Sequence, residues 1–114
     1  MRYAAVDIGS NSTRMLAAEV MAGEAPRTLA AEREVTRLGA SVFRDGRISA
    51  EAMDAVLDVL TRMASIYRRM DVAGVRAVAT SAVRDASNQA EFLARASQAL
   101  GTQVEIISGP RKLA

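Results

Sequence analysis

Apolar and polar positions follow two periods along this chain. Residues 3–8 (YAAVDI) form a short apolar run ending in Asp7-Ile8-Gly9-Ser10, the pattern of a buried strand entering a turn. Residues 14–20 (RMLAAEV) form a second run, and the polar Asn11 and Ser12 between the two predict a hairpin. Gly23 and Pro26 then break the chain. Residues 28–36 (TLAAEREVT) alternate in part, with Leu29, Ala31, Arg33 and Val35 on one face and Ala30, Glu32, Glu34 and Thr36 on the other. A helix is the competing reading, because AAERE has high helix propensity. Three strand-like runs in succession favour a meander.

From residue 50 the period becomes helical. Met53, Val56, Leu57, Leu60, Met63, Ala64 and Tyr67 recur at helical spacing and predict a helix over residues 50–70. Ser49 is placed to cap it, Glu51 suits its first turn, and Arg68 and Arg69 suit its end. Residues 75–79 (VRAVA) predict a short buried strand. Asp85 or Ser87 then caps a second helix with Phe92, Leu93, Ala96 and Leu100 on one face, and Gly101 ends it. Residues 104–107 (VEII) predict a last strand before Ser108-Gly109. The expected order is β-β-β-α-β-α-β, an α/β domain with a mixed five-stranded sheet and helices packed on it.

Composition narrows the chemistry. The chain has 114 residues, the size of one domain, and 50% of them are hydrophobic. Its aromatics are Tyr3, Phe43, Tyr67 and Phe92, so the core must be aliphatic, with Met15, Met53, Met63 and Met70 filling gaps. Fifteen basic against 13 acidic residues give a net charge of +2, too mild to argue for a nucleic-acid partner. There is no cysteine and no histidine, which leaves carboxylates, hydroxyls, backbone amides and arginines to do any chemistry. No apolar run approaches a membrane span and the N-terminus lacks a signal-peptide pattern. The expectation is a soluble cytoplasmic protein with no membrane partner.

Three segments carry candidate chemistry. In Asp7-Ile8-Gly9-Ser10-Asn11-Ser12, a glycine and three small polar residues follow a buried strand. Successive amides in such a turn form an anion-binding concavity, and a carboxylate at the strand end can orient a metal ion or its water. The alternative is a hairpin turn whose polar residues serve turn chemistry only. In Ala79-Thr80-Ser81-Ala82-Val83-Arg84-Asp85, Thr80 and Ser81 can donate to phosphate and Arg84 can contact it bidentately. The alternative is an ordinary strand-to-helix loop. In Glu34-Val35-Thr36-Arg37-Leu38-Gly39, the Glu-Arg pair reads as a solvated ion pair or as part of a site.

Four segments, in order, resemble one family, the exopolyphosphatase/guanosine pentaphosphate phosphatases. AVDIGSNSTRMLAAEV resembles its opening phosphate loop, and EREVTRLGASVFRDGRISAEAMDAVLDVL its following "E…RLG…G.I…A" stretch. VRAVATSAVRDASNQAEFLARA resembles its "ATSAxRxAxN…F" stretch, and GTQVEIISG the run before its catalytic segment. The resemblance covers residues 3–109 and implies an actin-like/ribonuclease H-like fold. It also implies magnesium-assisted attack of water on a terminal phosphoanhydride of inorganic polyphosphate or guanosine pentaphosphate, with a glutamate base. Carried over by position, it implies that Gly9, Ser10, Asn11 and Ser12 cradle phosphate, with Asp7 near the metal or the water. Arg14 and Arg84 would meet phosphate charge, and Thr80 and Ser81 would line the cleft.

The sequence departs from that pattern at its end. The family continues from "ISG" through two variable residues to "EAR", whose glutamate is its base, whereas Lys112 stands at that position here. The expected organisation is a first domain over residues 1–109. Residues 110–114 read as a truncated end, in part vector-derived. The second domain, with its own phosphate loop, is a missing partner, and a homodimer of the full-length protein is left open. The expectation for the fragment alone is inactivity. A kinase on the same fold and a non-catalytic phosphate-binding module are the competing classes, and the ATSAVRDA and VEIISG stretches argue against the kinase.

Overall fold

The computed structural model describes residues 1–107. Its elements are β1 (Arg2–Ile8), β2 (Ser12–Glu19), β3 (Arg27–Val35), α1 (Leu38–Asp45), α2 (Ala50–Arg69), β4 (Gly74–Ala79), α3 (Ser81–Arg84), α4 (Gln89–Leu100) and β5 (Val104–Ile106). The five strands form one mixed sheet in the order β3-β2-β1-β4-β5. β1 pairs antiparallel with β2 and parallel with β4; β2 pairs antiparallel with β3, and β4 parallel with β5. The expected mixed five-stranded α/β sheet is therefore present.

Period-2 alternation divides the sheet into two unlike faces. Ala4, Val6 and Ile8 of β1, Met15 and Ala17 of β2, and Ala77 and Ala79 of β4 are buried with the helices. Tyr3, Ala5, Asp7, Arg14, Leu16 and Arg76 point the other way and are exposed. α2 drives its stripe of Met53, Val56, Leu60, Met63 and Tyr67 into the core, where Leu60 and Val56 are fully buried. Leu57, expected on that stripe, sits at its edge and is partly buried. Ser49 caps α2 as expected, its hydroxyl accepting from the Ala52 amide at 3.1 Å. α4 adds Phe92, Ala96 and Leu100, while Leu93 is partly buried. The Tyr67 hydroxyl donates to the Leu100 carbonyl, satisfying a carbonyl that the end of α4 leaves without a helical partner. Burial pushes the Tyr67 phenol above its ordinary pKa, an effect the Arg68 charge partly offsets.

The element order differs from the expectation in two places. Two helices, α1 and α3, interrupt it, giving β-β-β-α-α-β-α-α-β. α1 has no side-chain cap, and its buried face is Leu38, Ser41 and Val42, so only two of the three positions read as apolar. α3 is one turn long, shorter than any helical period can show. The residue at the start of α4 is Asn88, not Asp85 or Ser87, and its side chain bonds both the amide and the carbonyl of Ile48 at 2.9 Å instead of capping the helix. Gly101 ends α4 with φ 73°, as expected. Among the described residues no helix is long and apolar enough to cross a membrane.

Candidate functional site

The turn between β1 and β2 is held from three sides. The Gly9 amide donates to the Ser12 carbonyl at 3.0 Å. A Cβ on Gly9 would stand 2.9 Å from that same oxygen, so the turn closes this tightly only around glycine. The Asn11 carbonyl accepts from the amides of Thr36 and Arg37, each at 3.0 Å, and the Ser10 carbonyl accepts from Gly39 at 2.7 Å. Both carbonyls thus face the junction of β3 and α1. In a trans peptide the next N–H points opposite to the C=O, so the amides of Asn11 and Ser12 are aimed away from that junction. Among the described residues the amides of Ser10 and Asn11 have no hydrogen-bond partner. That arrangement leaves oriented donors for solvent or an anion.

Sequence reasoning gave no role to Gly39 or to the backbone of Arg37. A Cβ on Gly39 would meet the Ser10 Cβ at 2.9 Å and the Ser10 oxygen at 3.2 Å. Arg37 takes a left-handed conformation, φ 52°, at the entry to α1, and its amide and that of Thr36 converge on one acceptor. The readable signal was the glycine of RLG, placed within the first turn of α1 where helix propensity disfavours it. The Glu-Arg pair expected in this segment is absent: Glu34 lies 3.5 Å from Arg62 of α2.

At the end of β4, Thr80 is tied to β1. Its amide donates to the Ile8 carbonyl at 3.1 Å, and its hydroxyl approaches the same oxygen at 3.4 Å. Ser81 opens α3 and shares a concavity of about 450 Å³ with Ser10, Asn11, Gly39, Phe43 and Asp85. Phe43 stands at that concavity 95% exposed, a feature its apolar character in the sequence did not suggest. Arg84 is not among the residues lining it; its guanidinium lies 3.4 Å from Asp85.

Asp7 and Arg14 occupy the opposite side of the sheet. They are direct cross-strand partners on β1 and β2. Both line an open groove of about 790 Å³, along with Leu16, Ala31, Arg33 and Arg76. Of the residues singled out in the sequence, five divide between two concavities flanking the 9–12 turn, while Gly9, Ser12, Thr80 and Arg84 line neither. Ser10, Asn11 and Ser81 come together in one, and Asp7 and Arg14 in the other. Ser108, Gly109 and Lys112 lie outside the described residues.

The sequence profile of the Ppx/GppA phosphatase family matches residues 5–112. The chain belongs to that family. An Aquifex aeolicus PPX-GPPA enzyme is 35% identical, with a TM-score of 0.87 over 95% of this chain and 36% of that one. An exopolyphosphatase from Cytophaga hutchinsonii is 33% identical, with a TM-score of 0.88 over 96% of this chain and 35% of that one. The chain thus spans about a third of the length of these Ppx/GppA relatives. RuvC from T. thermophilus, at 15% identity and a TM-score of 0.56, shares the fold alone. The actin-like/ribonuclease H-like fold expected from the resemblance is the fold of this domain.

Proposed function

We propose that the chain is the N-terminal domain, residues 1–109, of a phosphoanhydride hydrolase that releases terminal phosphate from inorganic polyphosphate or guanosine pentaphosphate. The observation that carries this reading is the 9–12 turn. In a chain of the Ppx/GppA phosphatase family, the unpartnered amides of Ser10 and Asn11 stand at the carboxyl end of a central strand, with Ser81 beside them. The name of the Cytophaga relative, an exopolyphosphatase, supports the substrate class.

In this reading the turn amides and the hydroxyls of Ser10 and Ser81 hold phosphate oxygens, and Arg14 contributes positive charge from the groove on the other side of the turn. Thr80 positions the turn through Ile8. Among the described residues no three carboxylates are grouped to hold a metal by themselves. A lone carboxylate such as Asp7 fits magnesium, which takes one or two carboxylates and completes its shell with water and substrate phosphate. Bound there, the ion would neutralise charge on the transferring phosphoryl group. The glutamate base of the family has no counterpart at position 112, which is lysine in this sequence.

The 114-residue chain is accordingly expected to bind phosphate without hydrolysing polyphosphate. With half of the cleft open to water, affinity should be about millimolar, or roughly −4 kcal/mol. A phosphate titration followed by amide chemical shifts should centre on Ser10 and Asn11, and Gly9→Val should abolish those shifts. Shifts centred elsewhere, or phosphate release from polyphosphate at enzymatic rates, would refute the proposal.

A further inference from the structure

We infer that Arg33 is a second guanidinium of the phosphate site and confers a preference for several linked phosphates over a single one. The inference rests on the proposed phosphate-binding role of the 9–12 turn and adds a residue outside the motifs that suggested that role.

The β2–β3 register makes Arg14 and Arg33 direct cross-strand partners. Their Cβ atoms therefore stand about 5 Å apart on one face, an arrangement in which like charges repel. Neither guanidinium makes an ion pair with a described residue, although ion pairs are available elsewhere on the same sheet. Arg76, the third arginine of the groove, is already engaged by Glu105 at 3.7 Å. The carboxylates lining the groove, Asp7 and Glu32, are not within ion-pair distance of either free arginine. The floor is aliphatic, with Ala5, Leu16, Ala31 and Val78, and offers no polar compensation. Two adjacent, exposed, uncompensated guanidiniums over an apolar floor form a site for an anion of more than one charge centre.

Position sets the order of contacts. Asp7, Arg14 and Arg33 lie in one row across β1, β2 and β3, at the end of the sheet that carries the 9–12 turn. Neighbouring strands are about 4.8 Å apart. Among the arginines of the groove, Arg14 is on the strand that leaves the turn, two residues from Ser12, and Arg33 is one strand farther out. A chain of phosphates starting at the turn reaches both, whereas a single phosphate engages the turn and Arg14.

The experiment compares tripolyphosphate with orthophosphate on the 114-residue chain, without magnesium, by amide chemical-shift titration. The variants are Arg33→Ala, Arg33→Lys and, as a control at the far end of β3, Arg27→Ala. Arg33→Ala should weaken tripolyphosphate about fivefold, as loss of one solvent-exposed charge contact does. Orthophosphate should stay within about twofold. Arg33→Lys should restore part of the loss, and Arg27→Ala should change neither anion. If both anions move Ser10 and Asn11 but Arg33→Ala leaves the tripolyphosphate preference intact, the inference falls and the phosphate turn stands. If neither anion moves the turn, both fall. A loss on Arg33→Ala that is equal for the two anions also overturns the preference.

Discussion

The Gly39 amide donates to the Ser10 carbonyl at 2.7 Å, across a gap that a single methyl group would close. This contact ties the proposed phosphate turn to α1, the helix that also lines its concavity.

Gly39→Ala tests the contact. Helix propensity favours alanine by roughly 1 kcal/mol, and forcing a methyl against Ser10 costs about 1–3 kcal/mol. The net loss of stability should be small, about 0–2 kcal/mol, while the turn is displaced. Far-UV circular dichroism should be unchanged and the phosphate-induced shifts of Ser10 and Asn11 lost. A variant that binds phosphate as the parent does would show that the turn holds its shape without Gly39.

The core of α2 gives a graded pair. Leu60 is fully buried and Leu57 only partly so. Leu60→Ala should cost about 2–5 kcal/mol in urea denaturation. Leu57→Ala should cost clearly less, because part of its side chain already meets water and its loss leaves a smaller cavity. Equal costs would mean that the two residues share one environment, contrary to the placement of α2 on the sheet.

Tyr67 predicts an alkaline limb. Its folded pKa is raised, so the folded state holds the proton to higher pH than the unfolded chain, whose tyrosine titrates at about 10. The stabilisation is complete below about pH 10 and is lost as pH rises toward the folded value. Tyr67→Phe should cost about 1 kcal/mol near neutral pH through the Leu100 carbonyl it abandons. It should also flatten the decline in unfolding free energy between about pH 9 and about pH 11. Parallel pH profiles for the two proteins would contradict the buried phenol.

How far the sequence disclosed this architecture varies with the range of the interactions involved. α2 was legible because its apolar period and its Ser49 cap are local, and β1 because residues 3–8 form a short apolar run ending in a turn, although the alternating burial of Ala4, Val6 and Ile8 shows only in the structure. α1 was hidden because its buried face includes Ser41. That hydroxyl donates to the Arg47 carbonyl at 3.0 Å and accepts from the Ser49 amide at 2.7 Å, a partner set that polarity alone cannot reveal. At the site, the identity of the turn could be read from Gly9, Ser10 and Asn11, but its orientation depends on Thr36, Arg37 and Gly39, which reach it only through the third dimension. The pairing of Arg14 with Arg33 was equally unreadable. It depends on a register that crosses the β2–β3 connection and a bulge at Ala17 and Ala18. The motif places Arg84 near Ser81, and its ion pair with the adjacent Asp85 on a one-turn helix could not be read from the motif.

The open sheet face also has a colloidal consequence. Leu16, at 46% exposure, leaves greasy area uncovered beside the three arginines of the groove, and Tyr3, at 43%, adds to it in an adjoining concavity that shares Leu16 and Arg76. In dilute buffer the guanidiniums keep two such faces apart. At about 0.1 M salt their repulsion reaches only about 10 Å, and a multivalent anion bridging two arginines removes it altogether. Oligophosphate, the ligand class proposed for the groove, would then act on the isolated domain as a precipitant: solubility should pass through a minimum near charge neutralisation and recover as excess anion reverses the sign of the patch.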